Sequence, residues 1–182
     1  MGMVANAYYT AEMVKALPDD GNRYETVHGE LLVTPAPTAG HQNIVRKLTR
    51  RVEDYLIEFP IGHPFNSPAD VVLDENTLVQ PDLFVVTIQQ AETLDWERMK
   101  NLLLVVEVLS PSTAKDDRFA KRKAYQKHGI PSYWIVDTDS RSVDVWTPED
   151  SVPSVCRNTV EWKPEGADEP LTIDLRELFQ GL

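Results

Sequence analysis

The sequence predicts an α/β sandwich, a mixed sheet flanked by helices. Three observations predict it. Apart from Glu107, the run Leu102–Leu109 is apolar at both alternating sets of positions, as in a central strand covered on both faces. His41–Phe59 repeats apolar residues at helical spacing: Ile44, Val45, Leu48, Val52, Tyr55, Leu56 and Phe59. A second helical pattern, Asp116–His128, lies between the apolar strand and two further strand-like runs, Tyr133–Val136 and Val143–Trp146.

Taken in order, Thr10–Leu17 reads as a short helix with Thr10 as N-cap and Pro18 as its stop. Asp19–Asn22 is a turn. Arg23–Val27 and Glu30–Thr34 form a hairpin around His28-Gly29, and Pro35-Ala36-Pro37 breaks its second strand. The first long helix carries Arg46, Lys47 and Arg50 on its polar side and ends at Pro60. Ala69–Leu73 and Leu83–Val86 read as strands. Gly129 and Pro131 close the second long helix. Val160–Trp162 and Leu171–Ile173 read as edge strands, and Asp174 with Glu177 resembles a capping box for a last helical turn. The 182 residues are expected to form one domain, with a core at about 23–147 and a C-terminal extension, 148–182, packed on it.

A net charge of −11 argues against a protein that coats nucleic acid non-specifically. The charge is uneven, with an acidic segment after Asp137 and a basic one formed by Lys115, Arg118, Lys121, Arg122, Lys123 and Lys127. That basic segment fits either a specific polyanion site or a solvated helix face. Cys156 is the single cysteine, so an intrachain disulfide and a cysteine zinc site are excluded, and a reducing cytoplasm is expected. No apolar run reaches membrane length and no export signal is apparent. A Gly-rich phosphate cradle is missing, so no nucleotide cofactor is expected.

Two acids stand out by their surroundings. Asp82 follows Pro81 and begins a strand; it reads as a turn aspartate or as a metal ligand. Glu107 sits within the apolar run, where an uncompensated charge costs at least several kcal/mol. A divalent cation shared with Asp82 would compensate it, and so would an ion pair with Lys121. Helical phase puts Asp117, Lys121, Ala124, Tyr125 and His128 on one face, with Phe119, Arg122 and Lys123 opposite. Lys121 then points inward, either as a charge-stabilising group or as a lysine covering the core edge. Glu30 reads as a third site carboxylate or a solvent-facing strand residue. His41 reads as packed and hydrogen-bonded, Asp70 as a supporting residue, and Trp134 and Trp146 as core.

In order along the chain, these residues resemble the PD-(D/E)-x-K nucleases, and more closely the Uma family of restriction endonuclease-like proteins. The resembling stretches are Tyr24-Glu25 with His28-Gly29-Glu30-Leu31, Pro35-Ala36-Pro37 leading to His41-Gln42, and Gln80-Pro81-Asp82-Leu83. They continue through Val106-Glu107-Val108-Leu109-Ser110-Pro111-Ser112-Thr113, Asp117-Arg118 with Lys121 and Tyr125, and Gly129 to Asp137. The resemblance implies a restriction endonuclease-like core and a Mg²⁺- or Mn²⁺-dependent phosphodiesterase site. It implies that Asp82 and Glu107 are metal ligands, Glu30 an additional site acid and Lys121 the catalytic lysine. DNA is the expected substrate, and a homodimer is expected because cutting both strands needs two sites. Leu109 fills the lysine slot of the general nuclease pattern, which moves the lysine to the following helix. A non-catalytic interaction protein of the same fold, or a phosphodiesterase acting on RNA, is the alternative reading.

Overall fold

Strand β7 (Leu102–Val108) lies in the interior of a six-stranded sheet because both of its faces are apolar and both find cover. The computed structural model describes residues 7–110 and 114–182; Pro111, Ser112 and Thr113 of the predicted loop lie outside the described residues. In chain order the elements are α1 (Ala11–Lys15), β1 (Arg23–Val27), β2 (Glu30–Thr34), α2 (Ala39–Glu58), β3 (Gly62–Asn66), β4 (Val71–Asp74), β5 (Thr77–Val79) and β6 (Leu83–Thr87). After β6 come α3 (Ile88–Ala91), a 3₁₀ turn (Trp96–Arg98) and β7. Then follow α4 (Ala114–Asp116), a π-helical turn (Asp117–Lys121) and α5 (Arg122–Lys127). The chain closes with β8 (Tyr133–Asp137), β9 (Ser142–Trp146), β10 (Ser154–Cys156), β11 (Thr159–Trp162), β12 (Leu171–Asp174) and α6 (Leu175–Leu178).

The large sheet has the order β10-β9-β8-β7-β6-β3. β7 and β8 are parallel, joined over one face by the α4–α5 segment; the other neighbours are antiparallel. A four-stranded antiparallel sheet, β2-β1-β5-β4, holds the predicted hairpin. Its turn has positive φ at both His28 and Gly29, as a two-residue hairpin of the right twist requires. A Cβ at Gly29 would collide with the Tyr8 ring, so glycine is needed there twice over.

Alternation along the strands gives each face of the large sheet its own core. Leu83, Val85, Leu104, Val106, Trp134 and Val136 pack against Ile44, Leu48 and Val52 of α2. Phe84, Val86, Val105, Tyr133 and Ile135 pack against Ala124 and Tyr125 of α5 and against Val27 and Val79 of the small sheet. A bulge interrupts the pattern at Leu103: Val85 pairs with Leu104 and Val86 with Leu102. Leu103 therefore joins the α2 face rather than the face of Val105, where simple alternation put it.

Residues beyond 148 enter the same core. Val160 and Trp162 of β11, Leu171 and Ile173 of β12, and Leu175, Leu178 and Phe179 are buried with α2. The two predicted edge strands pair with each other. Asp174 caps α6 through the Arg176 amide, while Glu177 reaches Arg51 at 2.8 Å instead of closing a capping box. Lys47 donates to the main-chain oxygens of Glu177, Leu178 and Gln180 at 3.3, 2.9 and 2.7 Å, satisfying carbonyls that a helix end leaves open. Among the described residues no helix is long and apolar enough to cross a membrane.

Candidate active site

Asp82 immediately precedes β6. The β6–β7 register pairs Leu83 with Val106 and Phe84 with Val105, so one step outward Asp82 comes opposite Glu107. Both acids are buried. Asp82 Oδ2 accepts the Val108 amide at 2.9 Å and lies 2.9 Å from His41 Nε2, and Oδ1 accepts from Arg23 Nη1 at 3.0 Å. Burial alone would raise the Asp82 carboxyl; His41, Arg23 and the Val108 amide outweigh it and hold the group below the usual aspartate value. His41 is packed and hydrogen-bonded, as expected, and its partner is a candidate site acid.

Glu107 faces α5. Its Oε1 accepts from Lys121 Nζ at 3.1 Å and from the Tyr125 hydroxyl at 3.0 Å. Burial pushes this carboxyl well above the usual glutamate range; Lys121 opposes the rise, while Asp117, Asp82 and Glu25 add to it. Lys121 points inward, 3% exposed. Its Nζ lies within ion-pair distance of three acids, 2.9 Å from Glu25 Oε2, 3.1 Å from Glu107 Oε1 and 3.2 Å from Asp117 Oδ1. Burial would lower this lysine, but three carboxylates hold it protonated, well above its ordinary value.

The π-helical turn aligns these contacts. Four residues along an α-helix overshoot a full turn by about 40°, so Asp117 and Tyr125 would drift about 80° apart. The wider π turn at Asp117–Lys121 takes much of that drift back, and Asp117, Lys121 and Tyr125 are all buried toward the sheet. Arg118 ties this segment down through Asp137 at 2.8 Å and Asp144 at 2.6 Å. Arg122 stacks over Trp146 at 4.6 Å. Part of the predicted basic segment thus serves to anchor the helix.

One placement needs correction. Glu30 is not in the cluster; it is exposed beside the hairpin turn, opposite Val27. The N-terminal acid that does enter is Glu25, 1% exposed, which binds Lys121 and accepts the Gln80 amide at 2.7 Å. Period-two alternation could have found it, since Glu25 shares the inward face of Val27 while Tyr24 faces α1. Asp70 supports the arrangement at one remove, accepting from the Gln80 side chain at 2.8 Å.

The cluster brings four buried acids, Glu25, Asp82, Glu107 and Asp117, against two permanent cations, Arg23 and Lys121. With every acid ionised, that leaves a charge of −2 among oxygen donors. Hard divalent ions such as Mg²⁺ and Mn²⁺ suit such a set in donor type and in charge. No group of three His, Cys, Asp or Glu side chains among the described residues is spaced to close on an ion. On the Asp82 side a cleft of ≈ 810 Å³ opens, lined by Arg23, His41, Arg46, Arg50, Asn66 and Ser67 among others; Glu107 and Lys121 do not line it.

A family model described as "Uma2: Putative restriction endonuclease" matches residues 11–182. Among solved structures, the fold is similar to one described as "a putative nuclease belonging to DUF820 from Anabaena variabilis". The TM-score is 0.77 and the identity 20%, over 94% of this chain and 97% of that one. At that identity the likeness is one of fold. No curated protein sequence matches the chain.

Proposed function

The chain belongs to the Uma2 family of restriction endonuclease-type proteins, and from that premise we propose that it is a Mg²⁺- or Mn²⁺-dependent endonuclease hydrolysing DNA phosphodiester bonds. The observation that carries the reading is the cluster of buried acids, with Glu25, Glu107 and Asp117 around Lys121 and Asp82, one residue before β6, beside Glu107 by the β6–β7 register. In this reading Asp82 and Glu107 hold the metal. When bound, the ion would polarise a phosphoryl oxygen and lower the pKa of a water. Lys121, kept protonated by its three carboxylates, supplies positive charge beside the reacting group. Tyr125 orients Glu107, and the Val108 amide and His41 orient Asp82. Arg46 and Arg50 border the cleft at Asp82 and would position a phosphate backbone. Cutting both strands calls for two copies of the site, hence a homodimer; the single unpaired Cys156 suits a cytoplasmic location.

One observation favours a second, non-catalytic reading. The Lys121 ammonium is buried among three carboxylates of the protein itself, as in a structural ion-pair hub. Nicking of supercoiled plasmid DNA with Mg²⁺ or Mn²⁺ separates the two. Loss of nicking in Glu107→Ala and Lys121→Ala supports the nuclease. Equal cleavage by wild type and both variants means contamination. A folded wild type that cleaves neither DNA nor RNA supports the non-catalytic reading, and cleavage of RNA alone reassigns the substrate.

A further inference from the structure

The two oxygens of Asp82 are used differently. Oδ2 belongs to the frame of the fold, gripped by the Val108 amide of β7 and by His41 of α2. Oδ1 has one donor among the described residues, Arg23 Nη1 at 3.0 Å. Oδ1 is therefore the oxygen open to exchange. A small divalent cation sits about 2.1 Å from a carboxylate oxygen, which brings it within about 5 Å of that guanidinium nitrogen. Two positive groups so close, in a partly buried site, repel strongly.

Arg23 is placed to leave. It is the first residue of β1, next to the Asn22 turn. Its Nε is buried with no hydrogen-bond partner among the described residues, so Asp82 uses only part of its donor set. Its side chain lines the ≈ 810 Å³ cleft, so space for a rotated guanidinium lies alongside. Lys121 is the opposite case, enclosed and held by three carboxylates. We propose that Arg23 is the exchangeable counter-charge of this cluster: it and a divalent cation compete for Asp82 Oδ1, and cation binding displaces the guanidinium into the cleft. The inference rests on the metal reading of Asp82 and Glu107.

The test is Mn²⁺ affinity, measured on the full chain by calorimetry or electron paramagnetic resonance. Arg23→Gln removes the competitor and should bind Mn²⁺ about tenfold tighter than wild type or more. Equal or weaker binding overturns the proposal. Asp82→Asn distinguishes the two levels of failure. If wild type binds no Mn²⁺, or Asp82→Asn binds it as wild type does, the metal reading itself falls. If Asp82→Asn abolishes binding but Arg23→Gln does not tighten it, only the competition is wrong. A measurement on wild type avoids any folding defect of the variant. The protected Arg23 Nε–Hε resonance should shift and lose its protection during a Mg²⁺ titration. A resonance that stays put at saturating Mg²⁺ overturns the proposal as well.

Discussion

The ammonium of Lys121 lies 2.9 Å from the Glu25 carboxylate, and this contact joins the N-terminal hairpin to the helical layer of the large sheet. Both groups are buried: without Lys121 the Glu25 carboxylate loses its cation, and without Glu25 the ammonium keeps only Glu107 and Asp117. Lys121→Met and Glu25→Gln should each destabilise the fold by about 3–5 kcal/mol in urea titrations. Glu30→Gln, exposed at the hairpin turn, should stay within about 0.5 kcal/mol of wild type. A larger effect at Glu30 than at Glu25 would put the wrong acid in the cluster.

Tyr125→Phe keeps the packed ring and deletes the hydroxyl that donates to Glu107. We expect a loss of about 1–2 kcal/mol, well below that of Lys121→Met. Under the nuclease reading it should also slow nicking without abolishing it, because Lys121 still holds Glu107. Wild-type stability and rate together would remove Tyr125 from any positioning role.

Leu48 is fully buried where α2 crosses the large sheet. Leu48→Ala should cost about 2–5 kcal/mol, the range for a core leucine whose neighbours relax only in part. Chemical denaturation measures this directly; a change below about 1 kcal/mol would place Leu48 outside the core.

The Arg118–Asp137 contact gives a pH-dependent prediction. Burial would raise the Asp137 carboxyl, but hydrogen bonds from Ser140 and Asp139 and the charge of Arg118 hold it below the usual aspartate value. The folded state thus binds this proton more weakly than the unfolded chain does. Its stabilising contribution is complete above about pH 4 and is lost as pH falls through the lower folded value. Asp137→Asn keeps the amide acceptor and removes the charge. Its Tm should lie below wild type at pH 6, by no more than about 1 kcal/mol equivalent for so accessible a pair. The gap should close in acid; a gap constant down to pH 2 would contradict this account.

Much of the fold was legible because its signals are local. Helical spacing located α2 with its apolar face, and double-sided apolarity put β7 in the interior of the sheet. Helical phase turned Lys121 inward and Lys123 outward. What escaped depends on pairing. β3, β5 and β10 are short and weakly patterned, and they become strands only where neighbours supply hydrogen bonds. Leu103 owes its face to a bulge that alternation does not encode. The resemblance implies a site acid at Glu30, but this hairpin-tip residue is the solvent-facing one that its spacing also allows, and the inward acid is Glu25. Arg23 had no signal of its own, since an arginine beginning a strand looks solvent-facing until its acid partner is located in space.

Lys47, through its three carbonyl acceptors, bolts the final helical turn to the longest helix. A pull applied at residue 182 would therefore load the sheet's main buttress directly through Lys47. Mechanical extension from that end should give one abrupt rupture of the whole molecule, with no early small step for residues 159–182.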